Sequence, residues 1–110
     1  MEVTREWICE YIRNQPREKV ANMVGRALVA LFRRQTLDEQ VSAHTRYDND
    51  RGFTAADAES GTIGAKTFIR HGRFTANWQW ERWIKLNTKG IPRIAKYVRQ
   101  LNEIAQERVQ

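Results

Sequence analysis

Apolar residues recur along most of the chain at the three- and four-residue spacing of an α-helix, and no segment alternates as a strand would. The first predicted helix follows Thr4, whose hydroxyl can cap it, and ends near Asn14. Pro16 suits the first turn of a second helix, which carries the strongest apolar stripe. That stripe consists of Val20, Met23, Val24, Ala27, Leu28, Leu31 and Phe32. Thr36 opens a Thr-x-x-Glu capping box and predicts a short third helix.

The middle of the chain predicts a long loop followed by a helix with a small face. The periodicity stops at about residues 43–53, where turn-forming residues are concentrated. Thr54, with Asp57 three residues later, predicts the start of the next helix. Gly61 and Gly64 lie on one face of that helix. Because Gly costs about 1 kcal/mol relative to Ala in a helix, this face predicts a second backbone close by.

Two further helices complete the predicted fold. Gly72 is placed as a C-cap, and the next helix is predicted from Ala76 to about Leu86. A turn follows at residues 87–90, and Pro92 opens a final amphipathic helix that ends near Glu107. The sequence therefore predicts an all-α fold, a compact single-domain bundle of five or six helices with one long loop, frayed over its last few residues.

Length and composition limit the class of protein. The chain has 110 residues, room for one domain over residues 1–110, and 41% of them are hydrophobic. Cys9 has no partner for an internal disulfide and is predicted to be a small core residue. Because Cys9, His44 and His71 lack the spacing of zinc ligands, we expect no metal and no cofactor. No apolar run approaches the ~18 residues of a membrane span, so we predict a cytoplasmic protein without a membrane partner.

Charged residues are unevenly distributed along the chain. The net charge is +6, and the pI is near 10. Residues 1–60 carry nine basic and ten acidic side chains, whereas residues 61–110 carry ten basic and three acidic ones. On the last helix Arg93, Lys96 and Arg99 step by three, away from the apolar face, and predict a solvent-facing basic stripe. This half of the chain is suited to a polyanionic partner.

The candidate binding residues are the basic side chains of this region together with one aromatic residue. They are Lys66, Arg70, Arg73, Trp78, Arg82, Lys85, Lys89, Arg93, Lys96 and Arg99. Trp80, Trp83 and Ile84 share a helical face and are predicted to be buried, whereas Trp78 points elsewhere, beside Arg82. An exposed Trp among cations is suited to stacking on bases or to anchoring a protein interface.

Three segments resemble a known group of proteins. They are Gln35-Thr36-Leu37-Asp38-Glu39, Asn49-Asp50-Arg51-Gly52-Phe53-Thr54-Ala55-Ala56-Asp57 and Lys96-Tyr97-Val98-Arg99-Gln100-Leu101. Through them the chain resembles small orphan proteins of phages, plasmids and integrated elements, which share the orders Gln-Thr-x-x-Glu, Asn-x-x-Gly-Phe-x-x-x-Asp and Lys-Tyr-x-x-Gln-Leu. The resemblance covers residues 32–101 and implies a mobile-element accessory protein, without assigning a catalytic residue.

The same segments have a structural interpretation. Phe53 is placed to pack on the first turn of the following helix, and Gly52 to allow the bend before it. Gln35 and Gln100 are candidates to hydrogen-bond buried carbonyls of the loop.

Two functions remain open at this point. The first is an accessory protein that binds DNA or RNA non-specifically, through contacts from its basic C-terminal half to the phosphate backbone. The alternative is a small inhibitor or adaptor that binds an acidic surface of a host defence or nucleic-acid-processing complex. An enzyme is not expected, since no acid, base and nucleophile converge by spacing. The sequence leaves the oligomeric state open.

Overall fold

The computed structural model describes residues 2–35, 40 and 51–109. The predicted start of a third helix at 36–39 and residues 43–50 of the predicted loop, including His44, lie outside these residues. The helices, in chain order, are α1 (Arg5–Asn14), α2 (Arg17–Arg34), α3 (Ala58–His71), α4 (Trp78–Ile84), a 3-10 helix (Arg93–Tyr97) and α5 (Val98–Val109).

The first helix has the predicted limits, and the second begins at the predicted place. Thr4 caps α1 by accepting a hydrogen bond from the backbone N–H of Trp7 over 3.0 Å. Pro16 directly precedes α2, where its missing N–H leaves no donor unpaired. The apolar stripe of α2 is buried at Val24, Leu28 and Leu31, so the helix lies in the middle of the bundle.

The third helix begins later than predicted. Residues 54–57 form a turn, in which the N–H of Asp57 donates to the carbonyl of Thr54, and α3 starts at Ala58. Thr54 does not cap α3: its Oγ1 lies 3.3 Å from the Tyr97 hydroxyl and 3.4 Å from Lys96 Nζ, and its N–H donates to the Tyr97 hydroxyl. The predicted C-cap at Gly72 is confirmed, with a φ of 70° and its N–H bonded to the carbonyl of Phe68.

The fourth helix is shorter than the predicted span of 76–86. Its first residue is Trp78, because the Gln79 side chain already accepts the free N–H groups of Thr75 and Ala76. Its end comes before Lys85, where the backbone becomes extended so that Leu86 can form an isolated antiparallel bridge with Pro92. The turn between them is the predicted one at residues 87–90, with the Asn87 side chain accepting two backbone N–H groups.

The last predicted helix is divided into two parts. A 3-10 helix follows Pro92, and α5 continues from it through Val109, two residues beyond the predicted end at Glu107. The 3-10 turns place Ile94, Ala95 and Tyr97 in the core. This tighter winding changes which side chains of the segment share a face, since 3-10 and α-helices differ in residues per turn.

The small face of α3 packs inside the molecule against α2 and the residues before α3. A Cβ at Gly61 would come within 2.5 Å of the Phe53 ring, and one at Gly64 within 2.8 Å of Leu28 Cδ1. The expectation of a close backbone is therefore wrong at Gly61, where an aromatic side chain fills the space. At Gly64 the carbonyl oxygen of Gln79 is also near, at 3.4 Å.

The predicted all-α bundle is confirmed. The radius of gyration is 13.3 Å, close to the ~13 Å of a single compact domain of this length. Trp80 and Trp83 are buried, as predicted, whereas Ile84, also predicted to be buried, is half-buried. Cys9 is half-buried rather than in the core, because it lies at the edge of the α1 stripe. Among the described helices, none combines the length and apolarity needed to cross a bilayer.

Candidate functional site

A buried carboxylate lies at the centre of the basic region. Asp57, directly before α3, is fully buried, at 0% exposure. Its Oδ1 accepts hydrogen bonds from Arg93, with Nε at 2.6 Å, and Arg82 Nη2 lies 3.7 Å away. Its Oδ2 lies 2.6 Å from Lys96 Nζ and accepts a 2.5 Å hydrogen bond from the Tyr97 hydroxyl. One carboxylate therefore gathers three cations from α4 and the 3-10 helix.

The electrostatics of this group favour the charged carboxylate. Burial alone would raise the pKa of Asp57, but hydrogen bonds from Lys96, Tyr97 and Arg93 outweigh it and hold the pKa below its ordinary 3.8. Burial, and then the bond to Asp57, raises the pKa of Tyr97 well above its ordinary value, so that its hydroxyl remains a donor. The three cations exceed the one anion, and the cluster keeps a net positive charge.

The segment that carries Asp57 is held by two glutamines. Gln100 accepts from the N–H of Gly52 at 2.8 Å and donates to its carbonyl at 2.9 Å. Gln35 accepts from the N–H of Phe53 at 3.3 Å. The prediction for Gln100 is confirmed, whereas Gln35 binds an N–H rather than a carbonyl. Phe53, buried against the rings of Trp83 and Tyr97, fixes the direction of the chain into α3.

A groove of about 810 Å³ opens above this cluster, and we call it the cationic groove. Its lining includes five cationic side chains and no acidic one. It is formed by Arg5, Arg82, Lys85, Leu86, Asn87, Ile91, Pro92, Arg93, Ala95 and Lys96. Three of the cations are tied to Asp57 below, and Arg5 and Lys85 are exposed at its surface. The arrangement can hold an anionic group against guanidinium and ammonium groups whose positions are already fixed.

A smaller hollow of about 270 Å³ adjoins the groove, and we call it the Trp78 hollow. Trp78 is 57% exposed, as its position outside the apolar face predicts. The other lining residues are Ala56, Glu59, Ser60, Ile63 and Arg82. Arg82 belongs to both cavities and connects them.

The structure divides the predicted binding residues into two sets. Four of the cations line the cationic groove, and Trp78 lies beside it. Five others do not line it: Lys66, Arg70, Arg73, Lys89 and Arg99. The first three lie on α3 or just after it, Lys89 lies in the turn before the 3-10 helix, and Arg99 pairs with Glu103 on α5 at 3.0 Å.

Of the three residues of the predicted solvent-facing stripe, Lys96 and Arg99 are exposed, whereas Arg93 is half-buried. Arg93 and Lys96 turn towards Asp57, because a buried carboxylate requires cationic partners to remain ionised. Arg99 pairs instead with Glu103, an acidic neighbour on its own helix.

Two residues of the candidate site were missed by reasoning from sequence. Asp57 was assigned only to the start of a helix, although it ends the segment Asn49–Asp57 that carries the resemblance and pairs with Lys96 and Tyr97 of another such segment. Arg5 belongs to the half of the chain without excess positive charge, and no local pattern connects it with Arg82.

Neither metal-ligand geometry nor comparison with known proteins gives further information about this site. Among the described residues, no three His, Cys, Asp or Glu side chains are grouped so that they could hold a metal ion. No protein-family model matches the chain, and comparisons with curated proteins and with solved structures give no significant match.

Proposed function

We propose that the protein binds the phosphate backbone of nucleic acid in the cationic groove. The observation that carries the proposal is the set of five cations lining one groove without an acidic side chain among them. Phosphates along a strand are regularly spaced anions, and neutralising them releases condensed counterions, which supplies binding free energy without reading the base sequence. The resemblance to proteins of mobile elements supports an accessory role of this kind.

Asp57 contributes by fixing the cations before the ligand arrives. Long Lys and Arg side chains lose rotamer freedom when they bind, and holding them in place beforehand reduces this cost. Arg82, Arg93 and Lys96 are each more than a third exposed in their side chains while anchored to the buried carboxylate. All three residues also line the groove, where a phosphate oxygen can accept hydrogen bonds from their guanidinium and ammonium groups.

The neighbouring acidic residue does not compete with the ligand. Glu81 lies on α4 but pairs with Arg17 of α2, whose Nη2 is 2.6 Å from Glu81 Oε1. This pairing directs the acid away from the groove lining. The residues that line the groove therefore contribute only positive charge, with Asp57 buried beneath them. This positive potential steers polyanions towards the groove.

A charge-reversal experiment tests the proposal. Arg5→Glu with Lys85→Glu removes two groove cations that have no contact with Asp57. The matched control, Lys66→Glu with Arg73→Glu, changes the net charge equally at exposed positions outside the groove. Affinity for labelled single-stranded and duplex DNA and RNA is measured by fluorescence anisotropy across roughly 50–300 mM salt.

We expect the groove variant to lose affinity by on the order of 10-fold or more, and the control to lose much less. Equal losses would mean that the whole basic surface, and not the groove, attracts the ligand. Unchanged binding by the groove variant would contradict the proposal directly.

A protein partner is the second candidate, and one observation favours it. Leu86 is 58% exposed and lines the cationic groove together with Ile91, so that the groove has an apolar part among its cations. Such a surface suits an acidic protein that inserts an apolar side chain, as in an inhibitor or adaptor. Binding to that partner would persist at moderate salt, whereas phosphate binding falls steeply.

A further inference from the structure

The Trp78 hollow differs chemically from the cationic groove that it adjoins. It presents the exposed ring of Trp78 and the aliphatic side chain of Ile63, which is 39% exposed. Glu59 and Ser60, from the first turn of α3, complete one side of it. Glu59 and Arg82 give the lining one charge of each sign, and the exposed indole and the aliphatic side chain suit a flat, uncharged group with polar edges.

The hollow and the groove share one lining residue, Arg82. Trp78 and Arg82 are four residues apart on α4, so their Cβ atoms are about 5–6 Å apart on one helix face. Arg82 is held in place, with Nη2 3.7 Å from Asp57 Oδ1 and its guanidinium 5.7 Å from the centre of the Trp83 ring. A ligand lying along the groove therefore passes beside the Trp78 ring when it reaches this residue.

We propose that the Trp78 hollow receives one unpaired base of a single strand whose backbone lies in the cationic groove. A nucleic-acid strand combines anionic phosphates with uncharged aromatic bases. The groove supplies cations for the phosphates, and the hollow supplies an exposed indole for a base. In a duplex the faces of the bases are stacked on their neighbours, and only an unpaired base can stack on a protein ring. The protein thus prefers single strands, and this inference rests on the proposed function.

The test uses Trp78→Leu, which removes the aromatic ring but keeps an apolar side chain, and Trp78→Phe, which keeps a ring. Both changes are at an exposed position of α4, and thermal unfolding checks that the variants remain folded. Three probes of equal length are compared by anisotropy: single-stranded oligothymidylate, an abasic sugar-phosphate strand, and an oligo(dA)·oligo(dT) duplex. The abasic strand keeps the phosphates and lacks the bases.

We expect Trp78→Leu to lower affinity for oligothymidylate by about 10-fold, with the abasic strand and the duplex nearly unaffected. Trp78→Phe should restore most of the loss, since stacking tolerates either ring. Loss of affinity for all three probes alike, or for none, would overturn the base-binding role while the groove remains the phosphate site. Failure of the unmodified protein to bind any probe at low salt would overturn both proposals together.

Discussion

The Tyr97 hydroxyl donates a hydrogen bond of 2.5 Å to Oδ2 of Asp57, although 40 residues separate the two in sequence. The same hydroxyl accepts from the N–H of Thr54 at 3.2 Å. It therefore fastens the turn before α3 to the 3-10 helix and, at the same time, orients the carboxylate that holds the groove cations. The stability of the bundle and the geometry of the groove depend on one phenol.

Replacing Tyr97 by Phe tests this connection. The ring would keep its packing against Phe53 and Trp83, while Asp57 and the N–H of Thr54 each lose a partner. We expect the free energy of unfolding at pH 7 to fall by about 1.5–3 kcal/mol, the range for hydrogen bonds to charged groups. Urea unfolding measures it. As a control, Tyr11→Phe removes a hydroxyl from a half-buried ring on α1, and an equal loss there would contradict the specific role of Tyr97.

The pH dependence of stability should report on Asp57. The folded protein holds the pKa of this carboxyl below its ordinary 3.8, so the unfolded state takes up the proton first as the pH falls. The contribution of Asp57 is complete above about pH 5 and is lost as the pH falls through the lower, folded value. Urea unfolding at a series of pH values should show this loss.

Asp57→Asn removes that pH dependence and lowers stability at neutral pH. We expect a cost of about 3 kcal/mol, the lower end for breaking a buried ion pair, because Arg93 and Lys96 keep contact with solvent. The variant and the natural chain should then converge in stability at low pH. A constant difference between them across the acid range would mean that Asp57 acts through packing rather than through charge.

The helices were predictable where a local signal determines them. The Thr4 hydroxyl caps α1 and Gly72 ends α3, as the sequence indicates, since each acts within one turn of chain. The start of α3 was not predictable in this way. Thr54 is a good cap by type, but its hydroxyl lies 3.3 Å from the Tyr97 hydroxyl, 43 residues away in the sequence, and this contact between distant segments overrides the local preference.

The candidate site was also predictable only where local sequence determines it. Charge counting located the cations Arg82, Lys85, Arg93 and Lys96, because composition is a local property of a segment. It missed Asp57, which lies outside the basic segment in the sequence, since an acid in a loop resembles a surface residue until its burial is known. Arg93 and Lys96 also follow a 3-10 path, in which side chains three residues apart align, and this brings both of them to one carboxylate.

Gly52 is required by both its backbone conformation and its surroundings. Its φ is 90°, and a Cβ there would lie 2.1 Å from Gln35 Cγ. Gly90 has a similar φ of 75° with open space around it. We expect Gly90→Ala to cost only the strain of the backbone, about 1 kcal/mol, and Gly52→Ala to cost roughly 1–3 kcal/mol more through overpacking. Thermal unfolding of the pair measures the difference, and equal costs would show that Gln35 moves aside freely.

The slope of binding affinity against salt concentration measures how many groove cations contact phosphates. If all five groove cations meet phosphates of a single strand, the slope of log K against log salt is about −3.5, at roughly −0.7 per contact. Arg5→Ala with Lys85→Ala should make the slope less steep by about 1.4, because these two cations do not support Asp57 and their loss leaves the other three in place. Anisotropy titrations at several salt concentrations give both slopes. An unchanged slope would place Arg5 and Lys85 outside the contact, and a change far larger than two contacts would mean that the rest of the groove had rearranged.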